Sequence, residues 1–229
     1  MSKPIAVITG ASKGIGRATA LRLAPTHDIV GVARSEAELD SLADEIGAIG
    51  GSCHTIALDI TDGDAVAAAL GDIDAQVLVN NAGIGIMKPF LEMTRDEWRS
   101  MVDLNFNALY DVTRAVLPAM VRRKSGHVVV IGSISGRSAF VGATCYAATK
   151  AAVTAFTESL MLELRDHGVK VSVVAPGGVD TSFSSSGGDQ SWKLRAEDVA
   201  EAVADVIDTP PHVLVHRVEV RTLMSPPKK

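Results

Sequence analysis

Short apolar segments alternate with segments of helical periodicity along the whole chain. The apolar segments are candidate strands and cover residues 5–9, 29–33, 52–58, 77–80, 127–132, 170–175 and 213–220. Between them, apolar residues recur every three or four positions, as in amphipathic helices, over residues 17–24, 36–46, 63–70, 98–123, 146–166 and 196–206. This alternation predicts an α/β fold in which a doubly wound, mainly seven-stranded parallel sheet carries helices on both faces. We expect a single domain over residues 1–229.

Local signals support these boundaries. Residues 35–38 and 94–97 match the capping box of a helix start, and Gly168 is placed to close the long helix that begins near Tyr146. Residues 181–191 are rich in Ser and Gly and follow the end of a strand, the edge at which open α/β sheets bind ligands. We therefore predict a substrate lid over residues 181–196, with a plain surface loop as the alternative.

Composition narrows the class of protein. Hydrophobic residues make up 47% of the chain but aromatic residues only 4%, so small aliphatic side chains must build the core, which suits parallel strands. The net charge is −5 and no basic run is interleaved with aromatics, which argues against nucleic acid as a partner. The basic run 122–124 lies at a predicted helix end, where cations complement the helix dipole. No secretory signal and no membrane-spanning stretch is recognised, so we expect a cytoplasmic protein without a membrane partner.

Neither the cysteines nor the histidines indicate a metal. Cys53 and Cys145 are isolated thiols, and we expect both to be packing residues. The histidines at 127, 167, 212 and 216 form no ligand constellation, so surface or capping roles are expected. We predict no metal site.

A glycine-rich turn follows the first predicted strand and opens the first helix. It reads Thr-Gly-Ala-Ser-Lys-Gly-Ile-Gly over residues 9–16. Glycines allow a tight turn, and they let backbone N–H groups approach a pyrophosphate at the positive end of a helix. The position of this turn between a strand and a helix indicates a dinucleotide site.

This turn resembles that of the short-chain dehydrogenase/reductase family, and the resemblance continues in order along nearly the whole chain. It implies a Rossmann-type fold and a nicotinamide cofactor. The implied cofactor contacts are Gly10, Ser12, Lys13, Gly14, Ile15 and Gly16 in the turn, Asp59 and Ile60 at the adenine, Asn81 in the Asn-Asn-Ala-Gly motif of residues 80–83, and Pro176, Gly177, Val179 and Thr181 at the carboxamide. The implied catalytic residues are Asn105, Ser133, Tyr146 and Lys150, of which Tyr146 and Lys150 also contact the cofactor.

The end of the second strand indicates which cofactor is preferred. NAD-binding proteins usually place a carboxylate there for the ribose 2′-hydroxyl, whereas this chain has Ala33 followed by Arg34. A guanidinium suits a 2′-phosphate, and Lys13 can add a second charge. We set Glu36 aside as a ribose ligand because carboxylates are stabilised in a first helical turn anyway. The prediction is NADP(H) in preference to NAD(H), against the alternative that Arg34 and Lys13 are solvated surface charges.

The proposed chemistry follows from the spacing of the side chains. Tyr146 and Lys150 are four residues apart and share a helix face. The ordinary pKa of a phenol is about 10, and we expect a nearby ammonium and the positive nicotinamide ring to lower it. Ser133 can donate a hydrogen bond to the substrate oxygen, with Ser135 as the alternative. Asn105, rather than Asn107, is expected to help hold a water that links Lys150 to solvent.

These expectations predict an NADP(H)-dependent oxidoreductase that acts on a carbonyl or a CH–OH group of a small molecule, with Tyr146 as general acid/base. One alternative is a 3-oxoacyl-[acyl-carrier-protein] reductase that docks its carrier on the basic run 122–124. Another is a non-catalytic NADP(H) sensor. Because the helix from Tyr146 is rich in Ala, and because the family commonly associates through this helix and the preceding long one, we also predict a homo-oligomer, a tetramer or a dimer.

Overall fold

One parallel sheet organises the chain. The structure is a computed structural model and describes residues 3–181, 183 and 190–223. Within these residues seven strands pair in the order β3-β2-β1-β4-β5-β6-β7, and every neighbouring pair is parallel. The strands are β1 (Ile5–Thr9), β2 (Asp28–Ala33), β3 (Cys53–Ala57), β4 (Val77–Asn80), β5 (Gly126–Ile131), β6 (Val169–Pro176) and β7 (Arg217–Val220). The predicted doubly wound sheet is confirmed.

Helices cover both faces of the sheet. They are α1 (Gly14–Leu23), α2 (Glu36–Ala48), α3 (Gly63–Leu70), α4 (Arg95–Val102), α5 (Ala108–Arg123), α6 (Thr144–Leu164) and α7 (Ala196–Ile207). Buried side chains of α1, α2 and α7 form one apolar layer with the sheet, and those of α3, α5 and α6 form the other. The largest fully buried side chains are all Ile, Leu, Met and Val, as the low aromatic content predicted.

The long helix predicted over residues 98–123 is interrupted. A π-helical turn, Asp103–Asn107, separates α4 from α5. Periodicity could not reveal this turn, because the hydrogen bonds that favour it run from Asn105 to Ile84 and Thr149, which are distant in sequence. Such turns are frequent at functional sites.

Two other local predictions need correction. Strand β7 begins at Arg217 rather than at residue 213, because only its last four residues pair with β6, from Val173 to Pro176. The capping box is present at Thr94 and Glu97, but Ser35 makes no capping hydrogen bond, and Glu38 instead pairs with Lys13. Gly168 adopts a left-handed conformation (φ +70°) and closes the 3₁₀ turn that follows α6, as predicted.

His127 is not the surface residue that the sequence indicated. Its side chain is 5% exposed, and its Nε2 lies 2.8 Å from the Ser172 hydroxyl, which donates to the Val215 carbonyl. Burial, with a smaller contribution from Lys170, lowers the pKa of His127 to about 3. The side chain therefore acts as a neutral core residue between β5 and β6.

The described part of the chain has neither a membrane-spanning helix nor a cluster of metal-binding side chains. None of its helices is long and apolar enough to cross a membrane. Among the same residues, no group of three or more His, Cys, Asp or Glu side chains is arranged to hold a metal ion.

Candidate active site

A groove of about 720 Å³ opens at the carboxyl edge of the sheet, where the strand order reverses between β1 and β4. Open parallel sheets bind ligands at this position. The predicted site residues that line it are Gly10, Ser12, Lys13, Gly14, Ile15, Arg34, Asp59, Ile60, Asn81, Ser133, Tyr146, Lys150, Pro176, Gly177, Val179 and Thr181. Gly16 and Asn105 lie behind this surface. The fold thus brings together side chains that are widely separated in sequence.

The glycine turn has the backbone conformation that its sequence requires. Gly10 has φ +66°, and a Cβ there would lie 2.8 Å from Asn81 Nδ2. A Cβ on Gly16 would collide with the Gly10 carbonyl, so Gly16 serves the packing of the turn. Helix α1 begins at Gly14, and its first N–H groups have no partner within the helix, which leaves them available to an anion. This cradle fits a dinucleotide pyrophosphate.

Asn81 holds the turn in place. Its Nδ2 donates to the Thr9 carbonyl (2.9 Å) and the Gly10 carbonyl (3.3 Å), while the Thr9 hydroxyl accepts from the backbone N–H groups of Asn81 and Ala82. Neighbouring Asn80 instead donates to the buried Thr113 hydroxyl. Of the two asparagines, Asn81 is therefore the one at the groove.

The end of the groove beside the glycine turn and the carboxyl end of β2 is lined by charged side chains. Arg34 and Lys13 both line it, and Lys13 Nζ lies 2.6 Å from Glu38 Oε1. This ion pair lowers the pKa of Glu38. The Asp59 carboxylate accepts hydrogen bonds from the backbone and hydroxyl of Thr61, which lower its pKa and fix its orientation. Two cations and two carboxylates thus surround the position expected for the adenosine.

Glu38 is not among the residues predicted from the sequence. The acid considered there is Glu36, which does not line the groove, whereas Glu38 does, together with Lys13, Arg34 and Ser35. Residues 36 and 38 lie on different faces of one helix, so the orientation of α2 decides which one faces the cofactor site.

Ser133 lies two residues after the end of β5, and its side chain is held by the backbone of Ser135. Its Oγ accepts a hydrogen bond from the Ser135 N–H (3.1 Å), which leaves the hydroxyl proton of Ser133 available to a substrate oxygen. Both serines are buried and line the groove. The contact gives Ser135 the role of orienting Ser133.

Tyr146 lies in the first turn of α6, close to Ser133. Burial raises the pKa of Tyr146, and hydrogen bonding with the Ser133 side chain acts in the opposite direction. In the chain alone this shift is opposite to the predicted one. The reason is that burial dominates, while Lys150 Nζ, 6.0 Å from the centre of the phenol ring, donates to the Ile131 carbonyl (2.9 Å).

Lys150 is a buried amine. Its side chain is 6% exposed, and burial lowers its pKa to about 8. An amine of this kind can exchange a proton near neutral pH, a property frequent at active sites.

Asn105 stands behind the groove, on the π-helical turn. Its Oδ1 accepts from the Ile84 N–H (2.8 Å), and its Nδ2 donates to the Ile84 carbonyl and the Thr149 hydroxyl. By contrast, Asn107 is exposed and donates to Asp103. Asn105 therefore ties the segment after β4 to α6. A second cavity of about 10 Å³ is lined by both Asn105 and Lys150.

Backbone hydrogen bonds join the two ends of the segment that follows β6. The Leu194 N–H donates to the Gly178 carbonyl (3.0 Å), and the Leu194 carbonyl accepts from the Asp180 N–H (2.8 Å). The Trp192 ring packs on Gly178, 3.3 Å from where a Cβ would lie. Part of the predicted lid, residues 182 and 184–189, lies outside the described residues. Phe183 is described, and its ring centroid is 5.7 Å from that of Tyr146. The sequence carried no signal for this contact.

Comparisons with known proteins agree with this geometry. Residues 4–191 match the family model described as short chain dehydrogenase. The chain is 36% identical over 235 residues to sulfoacetaldehyde reductase 2 of Chromohalobacter salexigens, covering 94% of this chain and 93% of that protein. A solved structure of serine dehydrogenase complexed with NADP⁺ superposes with a TM-score of 0.86 at 31% identity and 94% coverage of each chain. A 3-oxoacyl-[acyl-carrier protein] reductase from Brucella melitensis gives a TM-score of 0.89 at 29% identity, covering 98% of this chain and 92% of that one.

Proposed function

Because this chain is an oxidoreductase of the short-chain dehydrogenase family, we propose that it transfers hydride between NADP(H) and the carbon of a carbonyl or secondary alcohol, with Tyr146 as general acid/base. The observation that carries the proposal is the meeting of Ser133, Tyr146 and Lys150 in one groove with the glycine cradle of residues 10–16. A dinucleotide seated on the cradle would extend along the groove to these three side chains. The NADP⁺ complex of the structurally similar serine dehydrogenase supports this choice of cofactor.

Each side chain has a defined part in the reduction. When bound, the cofactor supplies the hydride. The Ser133 hydroxyl donates a hydrogen bond to the substrate oxygen and polarises the carbonyl. The Tyr146 hydroxyl gives its proton to the same oxygen as negative charge develops there. The burial that raises the pKa of Tyr146 keeps the phenol protonated in the chain alone, ready for reduction.

Lys150 and Asn105 complete the proposed proton route. The cavity of about 10 Å³ beside both residues is close to the size of one water-sized sphere. A water there would pass protons between Lys150 and the outside, while Asn105 keeps the walls of the cavity in place.

NADP(H) is favoured over NAD(H) by the charges at the adenosine end. Arg34 and Lys13 line the groove there, and a 2′-phosphate would accept charge-assisted hydrogen bonds from both.

A carrier-protein thioester is the second candidate substrate, favoured by the structural similarity to the reductase of Brucella melitensis. The basic run 122–124 does not support it. This run ends α5 and precedes β5, so it lies at the amino edge of the sheet, about 20 Å of strand away from the groove. Arg123 also pairs with Asp74 and donates to the Ala75 carbonyl.

The proposal is tested by Tyr146→Phe, with Tyr110→Phe as the matched control. These are the two tyrosines of the chain, and Tyr110 is exposed on α5. Tyr146→Phe should bind NADPH with unchanged affinity and lose at least about 99% of the turnover measured by NADPH absorbance over a carbonyl panel. The control should keep both properties. Full turnover in Tyr146→Phe would overturn the proton role, and an absence of turnover in the unmodified protein would favour the sensor alternative.

A further inference from the structure

The groove has a second, apolar end beyond the catalytic side chains. Side chains of Ile84, Met87, Phe140 and Phe183 line it, next to Ser133 and Tyr146. Met87, Phe140 and Phe183 are each more than two-fifths exposed, an uncommon state for three large apolar residues around one opening. In the proposed orientation this end receives the substrate.

A glycine lets these side chains converge. A Cβ on Gly85 would come within 2.8 Å of both the Phe183 ring and the Met87 methyl group, so these two side chains occupy the space that any other residue at position 85 would fill. Phe183 also faces Tyr146, with the two ring planes inclined at 56°. The apolar wall therefore reaches the catalytic phenol.

No charged partner for a substrate lines this end among the described residues. The cations that line the groove are Lys13 and Arg34 at the adenosine end and Lys150, which donates to the Ile131 carbonyl. The acids that line it, Glu38 and Asp59, also lie at the adenosine end. Within the lid segment, the residues outside the description, 182 and 184–189, are Ser, Gly and one Asp by sequence and include no cation.

The cations on the segments flanking this end are engaged elsewhere. Lys88 donates to both carboxylate oxygens of Glu97 (2.6 and 2.8 Å). Arg221 donates two hydrogen bonds to Glu219 (3.1 and 3.0 Å), and Arg137 approaches the same carboxylate at 3.4 Å. Lys193 Nζ lies 5.9 Å from the centre of the Trp192 ring. A substrate anion would have to displace one of these contacts or remain unpaired.

From this apolar, uncharged lining we propose that the enzyme prefers uncharged aldehydes or ketones whose carbonyl carbon carries an alkyl or aryl group. The inference rests on the function proposed above. In the reaction the carbonyl carbon gains the hydride of NADPH, the π electron pair moves to the oxygen, and that oxygen gains the Tyr146 proton, so the carbonyl is reduced and NADPH is oxidised. The preference differs from the charged substrates named for the related sulfoacetaldehyde reductase and serine dehydrogenase. Its physical cause is the free energy lost when an anion gives up part of its hydration against an apolar wall without an ionic partner.

Two aldehydes of the same shape test the preference. 3,3-Dimethylbutanal and sulfoacetaldehyde both carry a tetrahedral group on the carbon next to the aldehyde, tert-butyl in one and sulfonate in the other. We expect kcat/KM for the neutral aldehyde to be at least about tenfold higher, measured by NADPH absorbance. In the presence of NADPH, calorimetry should likewise show tighter binding of 3,3-dimethylbutan-1-ol than of isethionate.

Met87→Lys adds a cation at the apolar end, and Met87→Leu is its uncharged control. Relative to the control, the lysine variant should raise kcat/KM for sulfoacetaldehyde about tenfold and lower it for the neutral aldehyde. Equal or better use of sulfoacetaldehyde by the unmodified enzyme would overturn the inference and leave the proposed function intact. If the enzyme reduces neither these aldehydes nor a panel of ketones, the proposed function itself fails, and the inference fails with it.

Discussion

Lys13 and Glu38 form an ion pair on the wall of the cofactor groove, with 2.6 Å between Nζ and Oε1. Both side chains remain in contact with solvent, and Ser12 and Ser35 also hydrogen-bond the carboxylate. A phosphate placed near Lys13 would compete with Glu38 for the same ammonium and would be repelled by the carboxylate. The pair would therefore moderate the proposed preference for NADP(H), which rests on Arg34 and Lys13.

Glu38→Gln should improve the use of NADPH. The substitution removes the competing negative charge and leaves a side chain of the same size. We expect KM for NADPH to fall by about three- to fivefold at low salt, with KM for NADH unchanged, since exposed charge pairs contribute modestly. The difference should shrink as salt screens the charges. Glu36→Gln is the control, because Glu36 lies on the same helix but does not line the groove. An equal effect in both variants would show that Glu38 does not act on the bound phosphate.

Arg34→Asp should reverse the cofactor preference. The aspartate would repel a 2′-phosphate and could accept a hydrogen bond from a ribose hydroxyl. The ratio of kcat/KM for NADPH to that for NADH should fall about 100-fold, because a charge-assisted contact is lost and a repulsion is gained. Arg34→Gln should give an intermediate ratio. If the ratio stays at the value of the unmodified enzyme, Arg34 does not bind the phosphate.

Lys150→Met should make the protein more stable and inactive. The folded-state pKa of Lys150 is about 8, below its ordinary value of 10.5, so folding must desolvate or deprotonate this amine at neutral pH. Between pH 8 and 10.5 this lysine binds more protons in the unfolded chain than in the folded one. The free energy of unfolding of the unmodified protein therefore increases as the pH rises over that window. At pH 7 the variant should be more stable by about 1 to 3 kcal/mol, with the Ile131 carbonyl left unpaired as an opposing effect.

The measurement is urea unfolding of the two proteins at pH 7 and above pH 10.5. The advantage of Lys150→Met should disappear at the higher pH. Lys124→Met changes an exposed lysine at the end of α5 and should show no comparable pH-dependent difference. A stability gap that does not depend on pH would mean that the amine of Lys150 titrates normally in the folded chain.

We propose that the outer face of α6 is an interface between copies of the chain. Ala148, Ala151, Ala155 and Leu162 are exposed on this helix, and Tyr110 is exposed on α5. The small side chains of the three alanines permit close approach of a second helix, and Leu162 and Tyr110 add apolar surface around them. Ala155→Glu should place an unpaired charge there and shift the sedimentation profile toward the monomer, whereas Ala67→Glu on α3 should not. A monomeric profile of the unmodified protein at micromolar concentration would contradict the proposal.

Much of the site was predictable because its signals are local. The glycine turn, the four-residue spacing of Tyr146 and Lys150, and the position of Ser133 after a strand all lie within short stretches of sequence. The choices of Ser133 over Ser135 and of Asn105 over Asn107 came from the resemblance to the family rather than from a local pattern. In the structure the two members of each pair differ in their hydrogen bonds, such as that between Asn105 and Ile84, which are 21 residues apart.

By itself, the sequence determined the order of strands and helices, the parallel sheet and the edge at which the site forms, because apolar periodicity and glycine placement express themselves within each element. Only the tertiary structure decided the π-helical turn at Asn105, the ion pair of Lys13 with Glu38, the raised pKa of Tyr146 and the apolar wall around Phe183. Each of these depends on the distance, burial or charge of groups far apart along the chain, and no pattern within one segment contains that information.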